Sequence, residues 1–191
     1  MRSMTITAIE AITGRRSIRQ FIARVPSRDE VEAILSAAVL APNHRLTQPW
    51  RFFVLGAAAR YAYGLALGNR KAKKIEDVEA AERMRRTVAE EHAALPLMIA
   101  VAMTEDANPE IREEDFAATM MAVQNLSLAA VSVGLGTHMK TGAIMQDPSA
   151  RSAAGVPDGV RIVMVINVGE PAAVPPAKER KTAASLTTWM P

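Results

Sequence analysis

Cysteine is absent from the 191 residues, and this absence excludes several kinds of chemistry at once. A chain without cysteine forms no disulfide, has no thiolate nucleophile and cannot bind zinc or an iron–sulfur cluster through sulfur. No pair of the three histidines has metal-ligand spacing and no HExxH motif occurs, so no metal site is expected. Any redox chemistry must therefore reside in a bound cofactor.

Aromatic residues are also scarce, at 4% of the chain, and they are not interleaved with the 23 Lys and Arg residues. Proteins that bind nucleic acids without sequence preference usually stack bases on aromatic side chains. The net charge is only +3, without a dense basic tail. No nucleic-acid partner is expected, and a basic nucleic-acid-binding module is the least favoured alternative.

Neither a signal peptide nor a membrane span is indicated. The N-terminus lacks a basic region followed by an apolar run and a small-residue cleavage site, which predicts a cytoplasmic location. With 49% hydrophobic residues, the chain can bury a sizeable core. We expect a single domain over residues 1–191, with a C-terminal extension at about 172–191 that lies across a partner subunit.

Three arginines and a serine fall within five residues, in the segment Arg15-Arg16-Ser17-Ile18-Arg19. Guanidinium groups bind phosphate oxygens in pairs, and a serine hydroxyl with backbone N–H groups can complete such a site. An isolated cluster of this kind is more often a solvated basic turn. The remaining motifs must decide between these two interpretations.

Several segments have clear local patterns. Ser27-Arg28-Asp29-Glu30 has the form of a capping box, and Asp147-Pro148 has the form of a helix start. The prolines of the loop 41–50 prevent continuation of the preceding helix, and the loop brings together several functional side chains. The apolar patterns predict helices at 5–13, 27–40 and 57–67, and strands at 51–55, 97–103 and 160–168.

Two segments allow more than one interpretation. Residues 71–94 alternate positive and negative charges, which is typical of a solvated helix, although a mobile lid over a substrate cleft is the functional alternative. Residues 115–133 are apolar around the whole helix circumference, but Asp115, Gln124 and Asn125 argue against a membrane span. We expect this helix to lie at the centre of a homodimer.

The segment Gly134-Leu135-Gly136-Thr137-His138-Met139 begins like a dinucleotide-binding fingerprint but has methionine at the third glycine position and follows a helix. A Rossmann phosphate loop is therefore excluded. The glycines are interpreted as allowing the backbone to approach a flat ligand closely.

Other polar and aromatic residues are assigned structural roles. Glu113 and Glu114 are interpreted as ordinary acids at a helix N-terminus, and Trp50 and Phe52 as core residues. His92 and His138 have no supporting motif, and no Ser/His/Asp order suggests nucleophilic catalysis.

Six segments together resemble the nitroreductase family of FMN-dependent oxidoreductases, most closely its small branch of NAD(P)H nitroreductases. They extend from about residue 8 to residue 171. They are RRSIRQF, the next helix, APNHRLTQPWRFFV, the apolar central helix, GLGTHMKTG and VINVGEP. Membership implies an α+β fold, in which helices flank a central, mostly antiparallel sheet, and an intertwined homodimer with two FMN sites at its interface.

The resemblance also implies which residues bind FMN. Arg15, Arg16 and Ser17 match the motif that binds the phosphate and ribityl groups. Arg19 matches a cation near the pyrimidine end of the flavin, where a positive charge favours the anionic reduced form.

Two further segments match flavin contacts of the family. His44 and Gln48 match a loop that touches the flavin, in some members from the partner subunit. Lys140, Thr141 and Gly142 match a segment whose backbone runs along the flavin edge to N5, where an N–H donor suits the redox cycle.

Two features depart from the family pattern or remain open within it. Met139 stands where the small branch often has a bulky aromatic residue. Near the C-terminus, members often supply another cation to the FMN phosphate. The candidates here are Lys178, Arg180 and Lys181.

The expected activity is reduction of a small flat electron acceptor, such as a nitroaromatic or a quinone, by ping-pong hydride transfer from NADH or NADPH through flavin N5. No catalytic side chain is expected, because the flavin performs the chemistry. Two alternatives stay open. The first is different flavin chemistry on the same fold, such as reductive dehalogenation, activated-alkene reduction or flavin breakdown, and the second is a non-catalytic FMN-binding protein.

Overall fold

A computed structural model describes residues 6–191 as a mixed helix and sheet structure. The helices are α1 (Ala8–Gly14), α2 (Arg28–Ala38), α3 (Ala57–Ala72), α4 (Val78–Ala93), α5 (Pro109–Ser132) and α6 (Pro148–Ala153). The strands are β1 (Trp50–Leu55), β2 (Leu97–Thr104), β3 (Gly136–Lys140) and β4 (Val160–Gly169). Single 3₁₀ turns lie at Ala143–Gln146 and Ala184–Leu186.

The four strands form one antiparallel sheet in the order β1-β2-β4-β3. The central strands β2 and β4 are buried almost throughout, since helices cover both faces of the sheet. This double burial explains why both strands are nearly continuous apolar runs rather than alternating patterns. The expected α+β fold with a mostly antiparallel central sheet is confirmed.

The two faces of the sheet have separate hydrophobic cores. On one face, Ile34 of α2 and Leu126 of α5 share a core with residues of the sheet such as Ile166. On the other face, Tyr63 of α3 and Ala150 of α6 share a core with residues of the sheet such as Val165. Trp50 is buried in the first core and Phe52 packs against it, as predicted.

Side-chain caps begin α1, α2 and α6. Thr7 with Glu10 and Ser27 with Glu30 each form a complete capping box. Asp147 caps α6, with proline at its first position, as predicted. Residue 5 of the predicted first helix lies outside the described residues, and α1 itself begins at Ala8.

The charged segment 71–94 packs more closely than its sequence indicates. Helix α3 continues to Ala72, and α4 lies against it as an antiparallel partner. A Cβ at Gly64 would come within 2.7 Å of the Val88 carbonyl oxygen, so glycine permits the close approach. Val88, Ala89 and His92 of α4 are buried, while its charged side chains face outward. The segment is therefore half of a helical hairpin, with one solvated face.

Helix α5 is the longest element, with 24 residues. Eight of its residues are buried within this single chain, whereas Phe116 and Met121 are exposed. No helix within residues 6–191 has the length and apolar character that a membrane crossing requires.

Candidate functional site

The arginine-rich segment is joined to the edge strand β3. Ser17 and Thr137 form a parallel bridge, and the Ile18 N–H donates to the Thr137 carbonyl at 2.9 Å. Ile18 is buried, and a Cβ at Gly136 would lie 2.9 Å from the Ile18 Cβ. Gly136 therefore accommodates Ile18 rather than a flat ligand, which corrects the sequence interpretation of this glycine.

The two adjacent arginines differ in the hydrogen bonds of their side chains. Arg16 donates from Nη1 to the carbonyl oxygens of Thr13 at 2.6 Å and Arg15 at 2.9 Å, so it holds the turn after α1. Among residues 6–191, the Arg15 and Arg19 side chains bond to no partner, and no carboxylate pairs with any of the three arginines.

The same segment forms one wall of a groove with a volume of about 970 Å³. The opposite wall is formed by residues 173–178 of the C-terminal tail and by Arg180. Among residues 6–191, five cationic side chains and no carboxylate line the groove. They are Arg15, Arg16, Arg19, Lys178 and Arg180.

The three C-terminal cations that sequence left open differ in their position relative to the groove. Lys178 and Arg180 line the groove opposite the arginine segment, whereas Lys181 does not line it. Ser17 also lines it. Like charges facing one cavity without a carboxylate repel one another, so the groove favours an anion.

The end of β3 presents different groups to the two sides of the sheet. Met139 packs against the core beneath α2 and α5, and the alternation of a strand directs Lys140 to the opposite face. Burial lowers the pKa of the Lys140 ammonium, and the charge of Lys71 lowers it further. Burial also lowers the pKa of His138, with smaller effects from Lys140 and Arg19. The Lys140 side chain therefore lies beneath the sheet edge, on the face away from Met139.

Two backbone donors follow Lys140. Within residues 6–191, the N–H groups of Thr141 and Gly142 donate to no hydrogen-bond acceptor, and both residues are exposed. Gly142 has a φ of 136°, a conformation that L-residues rarely adopt. This glycine turns the chain into the 3₁₀ turn Ala143–Gln146 and leaves both N–H groups accessible.

The loop 41–49 lies against the N-terminal half of α5. His44 Nδ1 is 3.2 Å from Glu114 Oε1, and Arg45 Nε donates to Glu114 Oε2 at 2.8 Å. Thr47 donates to Asp115, which is buried. The pKa of Glu114 is lowered, first by the hydrogen bond from Arg45 and then by the one from His44.

Glu114 and Asp115 are the site residues that sequence reasoning missed. Glu114 is not merely an acid near a helix start, because α5 begins at Pro109 and Asn108 caps it. Its partners lie about 70 residues earlier in the chain. The sequence signal for them was a pair of adjacent carboxylates immediately before the apolar part of the helix. Glu113, by contrast, is exposed and forms no ion pair within residues 6–191.

The structure places the arginine segment and the loop 41–49 at opposite ends of α5, whereas residues 139–142 lie at the end of β3 and do not line the cationic groove. Val131 borders a small pocket with Arg15 and Arg16, while Glu114 holds the loop with His44 and Gln48. At a rise of 1.5 Å per residue, roughly 25 Å of helix separates Glu114 from Val131. Neither His44 nor Gln48 lines the cationic groove of its own chain.

Metal-binding groups are not apparent in the described part of the chain. Over residues 6–191, no three His, Asp or Glu side chains are arranged to hold a metal ion.

Comparison with known proteins identifies the family. The sequence model of the nitroreductase family matches residues 12–170. The chain belongs to the nitroreductase family. YfhC of Bacillus subtilis, provisionally named as an NAD(P)H nitroreductase, is 33% identical over 184 residues, which cover 95% of this chain and 93% of YfhC.

Solved nitroreductase structures have the same fold. A nitroreductase-like family protein from Bacillus cereus has a TM-score of 0.85 and 26% identity, over 100% of this chain and 99% of the other. A protein from Desulfovibrio desulfuricans, provisionally described as a nitroreductase and solved in complex with FMN, has a TM-score of 0.71 and 26% identity. That alignment covers 98% of this chain and 99% of the other. The nitroreductase assignment made from the motifs is confirmed.

Proposed function

We propose that this nitroreductase-family chain is an FMN-dependent NAD(P)H oxidoreductase that reduces small flat acceptors such as nitroaromatics and quinones. The observation that carries the proposal is the groove, which five cationic side chains and no carboxylate line within the described part of the chain. FMN-bound structures and NAD(P)H nitroreductase names among the relatives support the same cofactors.

The residues of the groove fit FMN chemically. A volume of about 970 Å³ is appropriate for a cofactor site. Arg15, Lys178 and Arg180 would hold the phosphate dianion, since guanidinium and ammonium groups form charge-assisted hydrogen bonds with phosphate oxygens. The Ser17 hydroxyl would bind the ribityl chain.

The remaining groups would orient and tune the ring. Arg19 would place a positive charge beside the pyrimidine end and favour the reduced, anionic form. The free N–H groups of Thr141 and Gly142 would serve as donors along the edge near N5, and Met139 would offer an apolar contact. When bound, FMN supplies the chemistry by accepting a hydride from NADH or NADPH and passing it to the acceptor that replaces the nicotinamide.

The proposed active form is a homodimer, because one chain does not bring all of the predicted contacts together. His44 and Gln48 lie about 25 Å along α5 from the arginine segment, farther than one ring system spans. A partner chain would bring its loop 41–49 to the groove. We further propose that the tail beyond Arg180 lies across that partner. Trp189 is 89% exposed in the single chain, and such a contact would cover it.

The first experiment is a visible absorption spectrum of the purified protein, followed by anaerobic addition of NADH or NADPH. We expect the bands of an oxidised flavin, which bleach on addition and return when a nitroaromatic or quinone is added. A colourless protein that remains colourless after incubation with FMN would refute the proposal. Flavin that neither nicotinamide bleaches would indicate a non-catalytic FMN-binding protein instead.

The cationic groove is tested separately by Arg15→Ala. Loss of a charge-assisted phosphate contact, worth about 1.5–3 kcal/mol, should raise the Kd for FMN about 10- to 100-fold in fluorescence titrations. Arg28→Ala is the matched control, because Arg28 is exposed on α2 and pairs only with Glu32. Equal Kd values for the two variants would show that FMN binds elsewhere.

A further inference from the structure

Few backbone hydrogen bonds hold the loop 41–49 in place. Leu46 and Gln48 have positive φ angles of 51° and 45°, which non-glycine residues rarely adopt. Within the loop, the Gln48 N–H donates to Asn43 Oδ1 at 2.7 Å, and the Leu46 N–H reaches the Asn43 carbonyl only at 3.3 Å. Such a strained conformation persists only where surrounding contacts determine it.

Those contacts come from one face of α5. Glu114 accepts hydrogen bonds from two consecutive loop residues, one on each carboxylate oxygen, and Asp115 accepts one from Thr47. Glu110 adds a longer ion pair to Arg45, at 3.8 Å. The acidic face of the helix therefore holds both the middle and the end of the loop.

The contact with Glu114 also determines which nitrogen of the His44 ring donates a hydrogen bond. A carboxylate only accepts hydrogen bonds, so Nδ1 must carry the hydrogen that points toward Glu114. Nε2 is then left on the outward side of a side chain that is 74% exposed. Glu114 thus determines both the direction of the imidazole and the nitrogen that it presents.

We propose that Glu114, assisted by Asp115, is a positioning residue of the active site, which holds His44 and Gln48 in the orientation that meets the partner's flavin. The flavin in this inference rests on the proposed function, whereas the positioning role of Glu114 rests on the hydrogen bonds of the loop. In this role Glu114 acts through the two loop residues that it bonds, His44 and Arg45.

The first test measures the loop itself, by hydrogen–deuterium exchange of the full-length protein with and without FMN. In Glu114→Ala, the peptide that covers residues 41–49 should exchange about tenfold faster, because local opening becomes easier. Glu114→Gln keeps an acceptor oxygen without the charge, so the exchange rate of its loop should lie between those of wild type and Glu114→Ala. Glu113→Ala is the matched control and should exchange like wild type, because Glu113 is exposed and, within residues 6–191, forms no hydrogen bond or ion pair with the loop.

The second test measures the FMN-loaded enzyme with nitrofurazone as the acceptor. Glu114→Ala should lower kcat/KM about tenfold, in line with the sensitivity of catalysis to small displacements, while the Kd for FMN changes less than about threefold. In a double-mutant cycle, Glu114→Ala should have a smaller effect in a His44→Ala background than in wild type, because the part of its effect that acts through the oriented ring is already lost.

The outcomes separate the inference from the proposed function. Loop exchange identical in Glu114→Ala and Glu113→Ala overturns the positioning role, as do fully additive effects of Glu114→Ala and His44→Ala. Faster loop exchange with unchanged kcat/KM also overturns it, because the order of the loop would then have no effect on catalysis. A wild-type protein that binds no FMN refutes the proposed function instead.

Discussion

Arg15 and Arg16 are neighbours in the sequence, but within residues 6–191 only the Arg16 side chain forms hydrogen bonds. The motif predicts a phosphate-binding cluster, yet only the structure shows that Arg16 bonds to the carbonyls of Thr13 and Arg15. Sequence reasoning could not separate the two arginines, because the direction of each side chain depends on the turn after α1. Glu114 illustrates the same limit, since its partners come from a loop about 70 residues away.

Replacement of Arg16 should therefore affect stability more than flavin affinity. Arg16→Ala removes two hydrogen bonds to backbone carbonyls, which we expect to cost about 1 kcal/mol and to lower Tm by roughly 2–4 °C. Differential scanning calorimetry measures this change, with Arg15→Ala as the comparison. A smaller Tm loss for Arg16→Ala than for Arg15→Ala would contradict the assigned roles.

His92 should make the fold sensitive to mild acid. It is 7% exposed, and burial lowers its pKa below the ordinary value of 6.5, despite a hydrogen bond to the Val88 carbonyl at 2.7 Å. Lys140 and Lys71 lower the pKa further, and Glu91 opposes them. As pH falls below 6.5, the unfolded chain therefore binds a proton more readily than the folded chain, and stability decreases.

The corresponding measurement is Tm from about pH 7.5 to about pH 5.5. We expect Tm to fall in wild type and to fall less in His92→Gln. His138, whose pKa burial also lowers, contributes in the same direction, so the His92→Gln/His138→Gln double variant should have the flattest profile. A His92→Gln profile parallel to that of wild type would exclude His92 as a source of the acid sensitivity.

At the scale of elements, β3 is the strand that the sequence pattern did not predict. The strands β1, β2 and β4 contain apolar runs, whereas Gly136–Lys140 mixes glycine, polar and basic residues. It is a strand because it pairs with β4 on one side and contacts Ser17 on the other. Pairing of this kind is a tertiary effect that local propensity does not contain. The capped helices were predictable, because their signals are local.

Gly136→Ala tests how β3 supports the site. An added Cβ would lie 2.9 Å from the Ile18 Cβ and 3.0 Å from the Pro171 Cγ, so the arginine segment must move away from the strand. We expect a destabilisation of about 1–3 kcal/mol by chemical denaturation, together with a weaker FMN complex.

Gly56→Ala is the control for that substitution, because a Cβ at Gly56 meets nothing within 4 Å. It should leave the Kd for FMN unchanged and cost about 0.5–1 kcal/mol, because alanine is less favourable than glycine at a helix N-cap. If both glycine variants bound FMN equally well, the contact between Ile18 and β3 would have no part in shaping the groove.

At the scale of the molecule, the motifs predict candidate FMN-binding residues but not the distances between them. Motif resemblance placed Arg15, Ser17, His44 and Gln48 in one site, because a linear motif contains no distances. Helix α5 separates them within the chain, and the exposed Phe116 and Met121 on the same helix leave apolar surface for a partner.

The proposed homodimer is tested by sedimentation at micromolar concentration. We expect a mass of about twice the 20.6 kDa of one chain, both with and without FMN. Met121→Glu should shift the equilibrium toward monomer, because it places a charge on an apolar face. A monomer that binds FMN and turns over would rule out a site shared between chains.

The length of α5 predicts how two mutant alleles behave when both are expressed in one cell. If each site takes its groove from one chain and its loop from the other, a mixed dimer of a groove-defective chain and a loop-defective chain contains one site with both halves intact. A chain defective in both halves, paired with a normal chain, leaves no intact site. Two single-defect alleles should therefore complement each other, whereas the allele that combines both defects should be dominant negative.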